Sequence, residues 1–151
     1  MADAALKLKL TEAMKDAMRA RAQQRLGTIR LVLAEVKRIE VDERIELDDA
    51  RILVVLDKML KQRRDAASQF SQAGRQDLVD KENAEMEVIQ SFLPAPLTKD
   101  ELIVLVTQAI ATSGATSVRD LGKVMALLKP QVQGRADMTA VSQLAKESLP
   151  G

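Results

Sequence analysis

The residues in this sequence with a chemistry to offer are lysine and arginine at helical spacing. Lys58, Lys61, Arg63 and Arg64 crowd together, and Arg30 and Lys37 lie upstream of them. Together they can build a cationic surface for a phosphate backbone. Acidic residues gather in the same way: Glu40, Asp42 and Glu43, and again Glu82, Glu85 and Glu87, carry the oxygen donors that magnesium takes. Acid runs on exposed helices are ordinarily solvated, so no metal is expected. The missing residue types exclude more. With no histidine and no cysteine in 151 residues, imidazole bases, Ser-His-Asp triads, thiolate nucleophiles, His- or thiolate-ligated metals and disulfides are all ruled out. Carboxylate, lysine and hydroxyl chemistry remain. There is no Gly-rich phosphate cradle and no Ser- and Gly-rich stretch of the kind a serine amidase needs, and no cofactor is expected.

These side chains must be carried on helices. Ala, Leu, Glu, Lys and Arg supply 74 residues and Gly plus Pro only ten, which predicts an all-α chain. Apolar residues recur every three or four positions in about seven segments. Leu6, Leu10, Met14, Ala17 and Met18 mark the first helix; Leu26, Ile29, Val32, Leu33, Val36 and Ile39 mark the second. A third starts after Asp48 as N-cap, runs about 25 residues through Phe70, and stops at Gly74. A fourth spans about Gln76 to Ser91. Pro94 and Pro96 then end the pattern and place a domain boundary, giving 1–93 as a bundle or hairpin of four long helices and 94–151 as a small three-helix module. In the module, Thr98 and Glu101 predict a capping box, Ser117 and Asp120 a weaker one, Pro130 and Gly134 a break in the sixth helix, and Asp137 the cap of a seventh. Gly122 lies inside the sixth helix, at a position where another backbone, of a helix or of an RNA, is expected to come close.

The net charge of +1 conceals blocks. Residues 1–30, 31–57, 58–76 and 77–93 carry +4, −4, +4 and −4 in turn. Two readings follow. Neighbouring antiparallel helices can align these blocks as ion pairs, helped by pairs within one helix such as Glu40 with Arg44, Asp57 with Lys61 and Asp77 with Lys81. Alternatively the basic blocks face phosphates. With two Phe and no Trp or Tyr there are no stacking platforms, so sequence-specific reading of single-stranded RNA is not expected, and no DNA sequence reading is expected either. Shape and phosphate recognition of a folded RNA remains open. The apolar runs near the N-terminus are interrupted by Lys7, Lys9, Glu12, Lys15 and Asp16, and no stretch approaches a membrane span, so a cytoplasmic protein without a membrane partner is expected.

Several runs, in order, closely resemble the YqeY family, also called GatB/YqeY domain proteins. They are Arg25-Leu26-Gly27-Thr28-Ile29-Arg30-Leu31, Glu40-Val41-Asp42-Glu43-Arg44, Lys61-Gln62-Arg63-Arg64-Asp65, Ala73-Gly74-Arg75-Gln76-Asp77-Leu78, Leu93-Pro94, Gly122-Lys123-Val124-Met125 and Gly134-Arg135-Ala136-Asp137. The resemblance implies a bundle of long helices followed by a module similar to the tail of the GatB subunit of tRNA-dependent amidotransferase, which helps hold tRNA. The tail-like pattern is Gly122, Val124, Met125, Gly134 and Ala136, with Gly74 and Asp137 as further structural positions. It implies RNA contact near Lys123, Lys129 and Arg135. It also brings an association with carbon–nitrogen ligase activity using glutamine as nitrogen donor, against which the missing nucleophile argues. The expected function is a non-catalytic accessory protein, with tRNA and the tRNA-dependent amidotransferase or aminoacylation machinery as partners. The alternatives are a helical protein-interaction adaptor and, behind it, a component of an amidotransferase system.

Overall fold

Residues 5–151 are described by the structure, a computed structural model, and residues 1–4 of the expected long-helix segment and first basic block lie outside them. The all-α class read from composition is the class observed: the described residues form seven α-helices and no strand. Helices α1 (Ala5–Arg19), α2 (Gln23–Glu43), α3 (Asp49–Gln72) and α4 (Gln76–Gln90) fall in one compact unit, Met1–Pro94. A second unit, Ala95–Gly151, holds α5 (Lys99–Ser113), α6 (Leu121–Val132) and α7 (Met138–Ser148), with one 3-10 turn, Val118–Asp120, leading into α6.

In the first unit, apolar periodicity decides which faces turn inward. Leu10 and Ala17 of α1, Leu26, Ile29, Val32 and Val36 of α2, and Ile52, Val55, Leu56, Met59 and Leu60 of α3 form one core with Val88 and Ile89 of α4 and the following Phe92 and Leu93. Each large side chain removed from water there contributes about 1.5–3 kcal/mol. Met18 is an exception to the expected stripe and is half exposed, because it follows Ala17 and so sits about 100° around the helix from the buried line. Asp48 caps α3 as its residue type predicts, accepting the Arg51 amide at 2.9 Å. Gly74 ends the next turn at φ +71, a conformation open to glycine.

One polar cluster joins three elements. Glu40, in the last turn of α2, is only 8% exposed, and both its oxygens accept from Lys7 Nζ of α1, at 2.8 and 3.0 Å. Its Oε2 also accepts the Leu47 amide at 2.9 Å, tying down the loop to α3. Beside it, the Asp49 carboxylate of α3 accepts the Leu6 amide at 2.9 Å, satisfying a donor that the first turn of α1 would leave open. The expected pair of Glu40 with Arg44 does not form. Arg44 leaves the helix in the left-handed region at φ 57, and Glu40 turns inward instead.

The second unit closes around Leu102, Val106 and Ala109 of α5, Val124, Leu128 and Val132 of α6, and Val141 and Ala145 of α7. The Thr98–Glu101 capping box is complete in both directions, and Asp137 caps α7 through the Thr139 amide at 3.1 Å. At Ser117 only half of the expected box forms: its hydroxyl accepts from Arg119, while the Asp120 carboxylate reaches the Thr116 amide. Pro130 does not break α6, which continues to the fully buried Val132. Pro130 lies in the last turn, and both it and Ala126, whose carbonyl it leaves without a donor, are exposed to water. The turn falls at Gly134, φ +75.

The Lys7 ammonium, followed by the Leu47 amide, holds the Glu40 carboxyl below the ordinary glutamate range, against the opposing effect of its burial. The unfolded chain therefore binds this proton more readily. Stability from the pair is complete above the ordinary glutamate pKa of about 4.3 and is lost as pH falls through the lower folded value. Lys7→Met is expected to cost about 1–3 kcal/mol by leaving a buried carboxylate short of partners. Urea midpoints measured across acid pH should show Glu40→Gln destabilised at neutrality and less sensitive to acidification. An unchanged acid limb would remove this role.

Candidate nucleic-acid interface

In the first unit the charge blocks are spent partly on each other. Arg63 of α3 donates to Glu85 of α4 at 3.1 Å, with the side chains 16% and 14% exposed. Arg51 reaches Glu43 at 2.7 Å, and Arg38 holds Glu35 at 2.6 Å and Asp42 at 3.0 Å. Arg63 is thus an interhelical tie rather than a free surface cation. Asp77 is engaged by Arg75 at 2.9 Å in place of the expected Lys81.

The remaining predicted cations are exposed but do not form one surface. Lys58 lines a groove of about 390 Å³ between α2 and α3, where its charge adds to the stronger effect of Arg38 in holding the Glu35 carboxyl low. At about 100° per residue, Lys61 and Arg64 share an outer arc of α3 with Asp57 and Asp65, so that arc is neutral. Arg30 and Lys37 lie on the flank of α2 toward α1: Lys37 lines a cavity of about 310 Å³ together with Lys7, Val41 and Arg44. Arg44 belongs with them. Pairing it with Glu40 on sequence spacing hid it, whereas the repeat Arg30, Lys37, Arg44, each seven residues on, would have found it.

In the second unit, three of the five side-chain carboxylates are held at helix starts. Glu101 accepts the Thr98 amide at 3.2 Å, Asp120 that of Thr116 at 3.0 Å, and Asp137 that of Thr139 at 3.1 Å. Those amides, first among the causes, hold the Glu101 and Asp120 carboxyls below their ordinary values. The cations project outward. The Lys123 side chain is 72% exposed, reaching Asp120 only at 3.9 Å, and exposed Lys129 has no ion pair among the described residues. Arg135 is different: its Nε donates to the Ala95 carbonyl at 3.1 Å and its own carbonyl accepts the Leu97 amide at 2.8 Å, so it pins the segment ahead of α5. Of the motif residues, Val124 is buried, Met125 packs against the core, Gly134 makes the turn and Asp137 the cap. Gly122 is not where a helix crosses. A Cβ there would meet nothing within 4 Å, and Gly122, Ala126 and Pro130 form an exposed strip of low relief between Lys123 and Lys129.

The carboxylate clusters are not simply solvated runs: Glu40, Asp42, Glu43 and Glu85 each face a basic side chain. Among the described residues no group of three or more His, Cys, Asp or Glu is placed to hold a metal ion. No single described helix is long and apolar enough to cross a membrane.

Fold and surface define an all-helical protein in two units. The chain belongs to the YqeY family, whose model, described as Yqey-like protein, matches residues 7–149. A relative from Eremothecium gossypii, altered inheritance of mitochondria protein 41, mitochondrial, is 38% identical over 87 residues, 57% of this chain and 48% of that protein. The protein of the same name from Clavispora lusitaniae is 36% identical over 91 residues, 60% of this chain and 53% of the relative. That of Pyrenophora tritici-repentis is 29% identical over 138 residues, 89% of this chain and 75% of the relative. The chain spans about half the length of the first two over these matches. All three names carry a mitochondrial designation, which overturns the expectation of a cytoplasmic protein. The expectation rested on interrupted apolar runs and a missing membrane span, which test for a secretory signal or an anchor and not for an organellar address.

Gly122→Ala separates the two expectations for that residue. With open space around it, alanine should stabilise the chain by about 0.4–1 kcal/mol through the unfolded state. A lowered thermal midpoint would restore the helix-packing explanation.

Proposed function

We propose that this chain is a non-catalytic accessory protein whose α5–α7 unit serves as a GatB-tail-like module for tRNA or a tRNA-bearing complex. The α1–α4 unit is then the long-helix bundle that accompanies it. The observation that carries the reading is the exposed face of α6, where Lys123 and Lys129 flank the low-relief strip of Gly122, Ala126 and Pro130. A phosphate backbone can approach that strip closely, with a cation on either side, while Glu101, Asp120 and Asp137 are held at helix starts. The setting implied by the resemblance is the tRNA-dependent amidotransferase or aminoacylation machinery. Bond-making is left to partners, since this chain has neither Cys nor His.

A second reading has one observation in its favour. The groove between α2 and α3 exposes Leu31 and Val54 above Val55 and Met59, a surface on which an adaptor could seat an apolar partner segment. Its guanidinium groups already hold carboxylates, so charge would add little there.

Titrating the full chain with total tRNA at 50 and 200 mM salt tests the leading reading. Saturable binding is expected to weaken roughly a hundredfold if about four phosphates are met. Lys123→Glu with Lys129→Glu should abolish it with helix content unchanged, and Leu31→Asp with Val54→Asp should leave it intact. Arg135 is kept, because its loss would loosen the fold. Binding indifferent to salt, or to the lysine pair, would overturn the proposal.

A further inference from the structure

We infer that the flank of α2 carrying Arg30, Lys37 and Arg44 is a second phosphate-backbone track, suited to double-helical RNA. It rests on the RNA reading above but uses a different surface, in the other unit. The three cations recur at seven-residue intervals, about 10.5 Å apart along a helix, and so cover about 21 Å. Between them on the same arc lie Ala34 and Val41, with no acidic residue. None of the three side chains has a hydrogen bond or ion pair among the described residues, and all are exposed. Lys37 and Arg44 line one cavity, so the register holds even though Arg44 lies just past the helix.

The local anions strengthen the assignment. Glu40 lines the same cavity, but Lys7 and the Leu47 amide already satisfy it. Glu46 also lines that cavity and opposes an anion at the Arg44 end, which leaves Arg30 and Lys37 as the stronger contacts. Two other basic arcs of the unit differ: Lys61 and Arg64 share theirs with Asp57 and Asp65, and the guanidiniums at the α2–α3 groove are paired. A duplex is the polyanion that fits. The cations are fixed on a rigid helix and there are no aromatic platforms, so recognition must come from a partner whose phosphates are themselves held in a fixed shape.

The test uses the full chain, an RNA hairpin with a long stem, and a single-stranded RNA of equal length. For Arg30→Gln/Lys37→Gln/Arg44→Gln the plot of log K against log salt for the hairpin is expected to flatten by about 2.1–2.7, at roughly 0.7–0.9 per lost contact. Lys61→Gln/Arg64→Gln should leave the slope unchanged. Far-UV circular dichroism and the urea midpoint check folding, and Arg30→Gln/Lys37→Gln, which leaves the Arg44 turn intact, should flatten the slope by about 1.5. An unchanged slope in these variants, alongside lost binding in Lys123→Gln/Lys129→Gln, would overturn the α2 track and leave the RNA reading standing. Failure of the unaltered chain to bind either RNA would sink that reading itself. Equal losses on hairpin and single strand would overturn the preference for a duplex.

Discussion

A carboxylate withdrawn from water near the end of α2 organises the first unit. Glu40 cannot be buried alone, because an ionised group without partners would cost several kcal/mol. The Lys7 ammonium and the Leu47 amide complete its bonding, and in doing so they bring the start of α1, the end of α2 and the loop into α3 to one point. Asp49, at the start of α3, adds the Leu6 amide to the same corner. The surface follows from this. Lys7 takes Glu40, and Arg44, exposed beside Lys37 at the cavity, has no ion pair among the described residues.

The same division of labour recurs in the second unit by a different route. Three of its carboxylates sit at the starts of helices, where amides without partners and the positive end of the helix dipole favour them. Glu101, Asp120 and Asp137 all occupy such positions. Lys123 and Lys129 have no comparable demand on them. A chain with nearly balanced charge thus displays cations because local structure captures its anions first. Net charge alone could not have announced that.

Local signals were the legible ones. Asp48, Thr98 with Glu101, and Asp137 cap helices because a side-chain oxygen three residues or fewer from an open amide acts without help from the rest of the fold. The core stripes of α2 and α3 could be read for the same reason, since their period is set by the helix itself. What stayed hidden depended on neighbours distant in sequence. Lys7 and Glu40 are 33 positions apart and Arg63 and Glu85 are 22 apart, and no spacing rule links them. Pro130 was misjudged because its cost depends on whether water reaches the carbonyl it strands. Counting charge in blocks also averages over a helix's circumference, which is why the basic residues of α2 and α3 looked like one surface. Interrupted apolar runs and a missing membrane span test for a secretory signal or an anchor, so they could not single out the compartment.

The adaptor reading and the second phosphate track draw on opposite flanks of a single helix, α2. One arc of α2, with Ile29, Val32 and Val36, is committed to the core. The flank toward α3 shows Leu31 beside guanidiniums already neutralised by Glu35, Asp42 and Glu43, so any affinity there must come from apolar burial and should resist salt. The flank toward α1 shows Arg30, Lys37 and Arg44, exposed and without an ion pair among the described residues, so affinity for a polyanion there would come from counterion release and should fade with salt. Because 3.6 residues per turn keep these arcs apart, substitutions on one flank leave the other chemically intact. An apolar partner and a polyanion, as proposed, would thus meet different arcs of the helix, and salt dependence is the property that tells the two contacts apart.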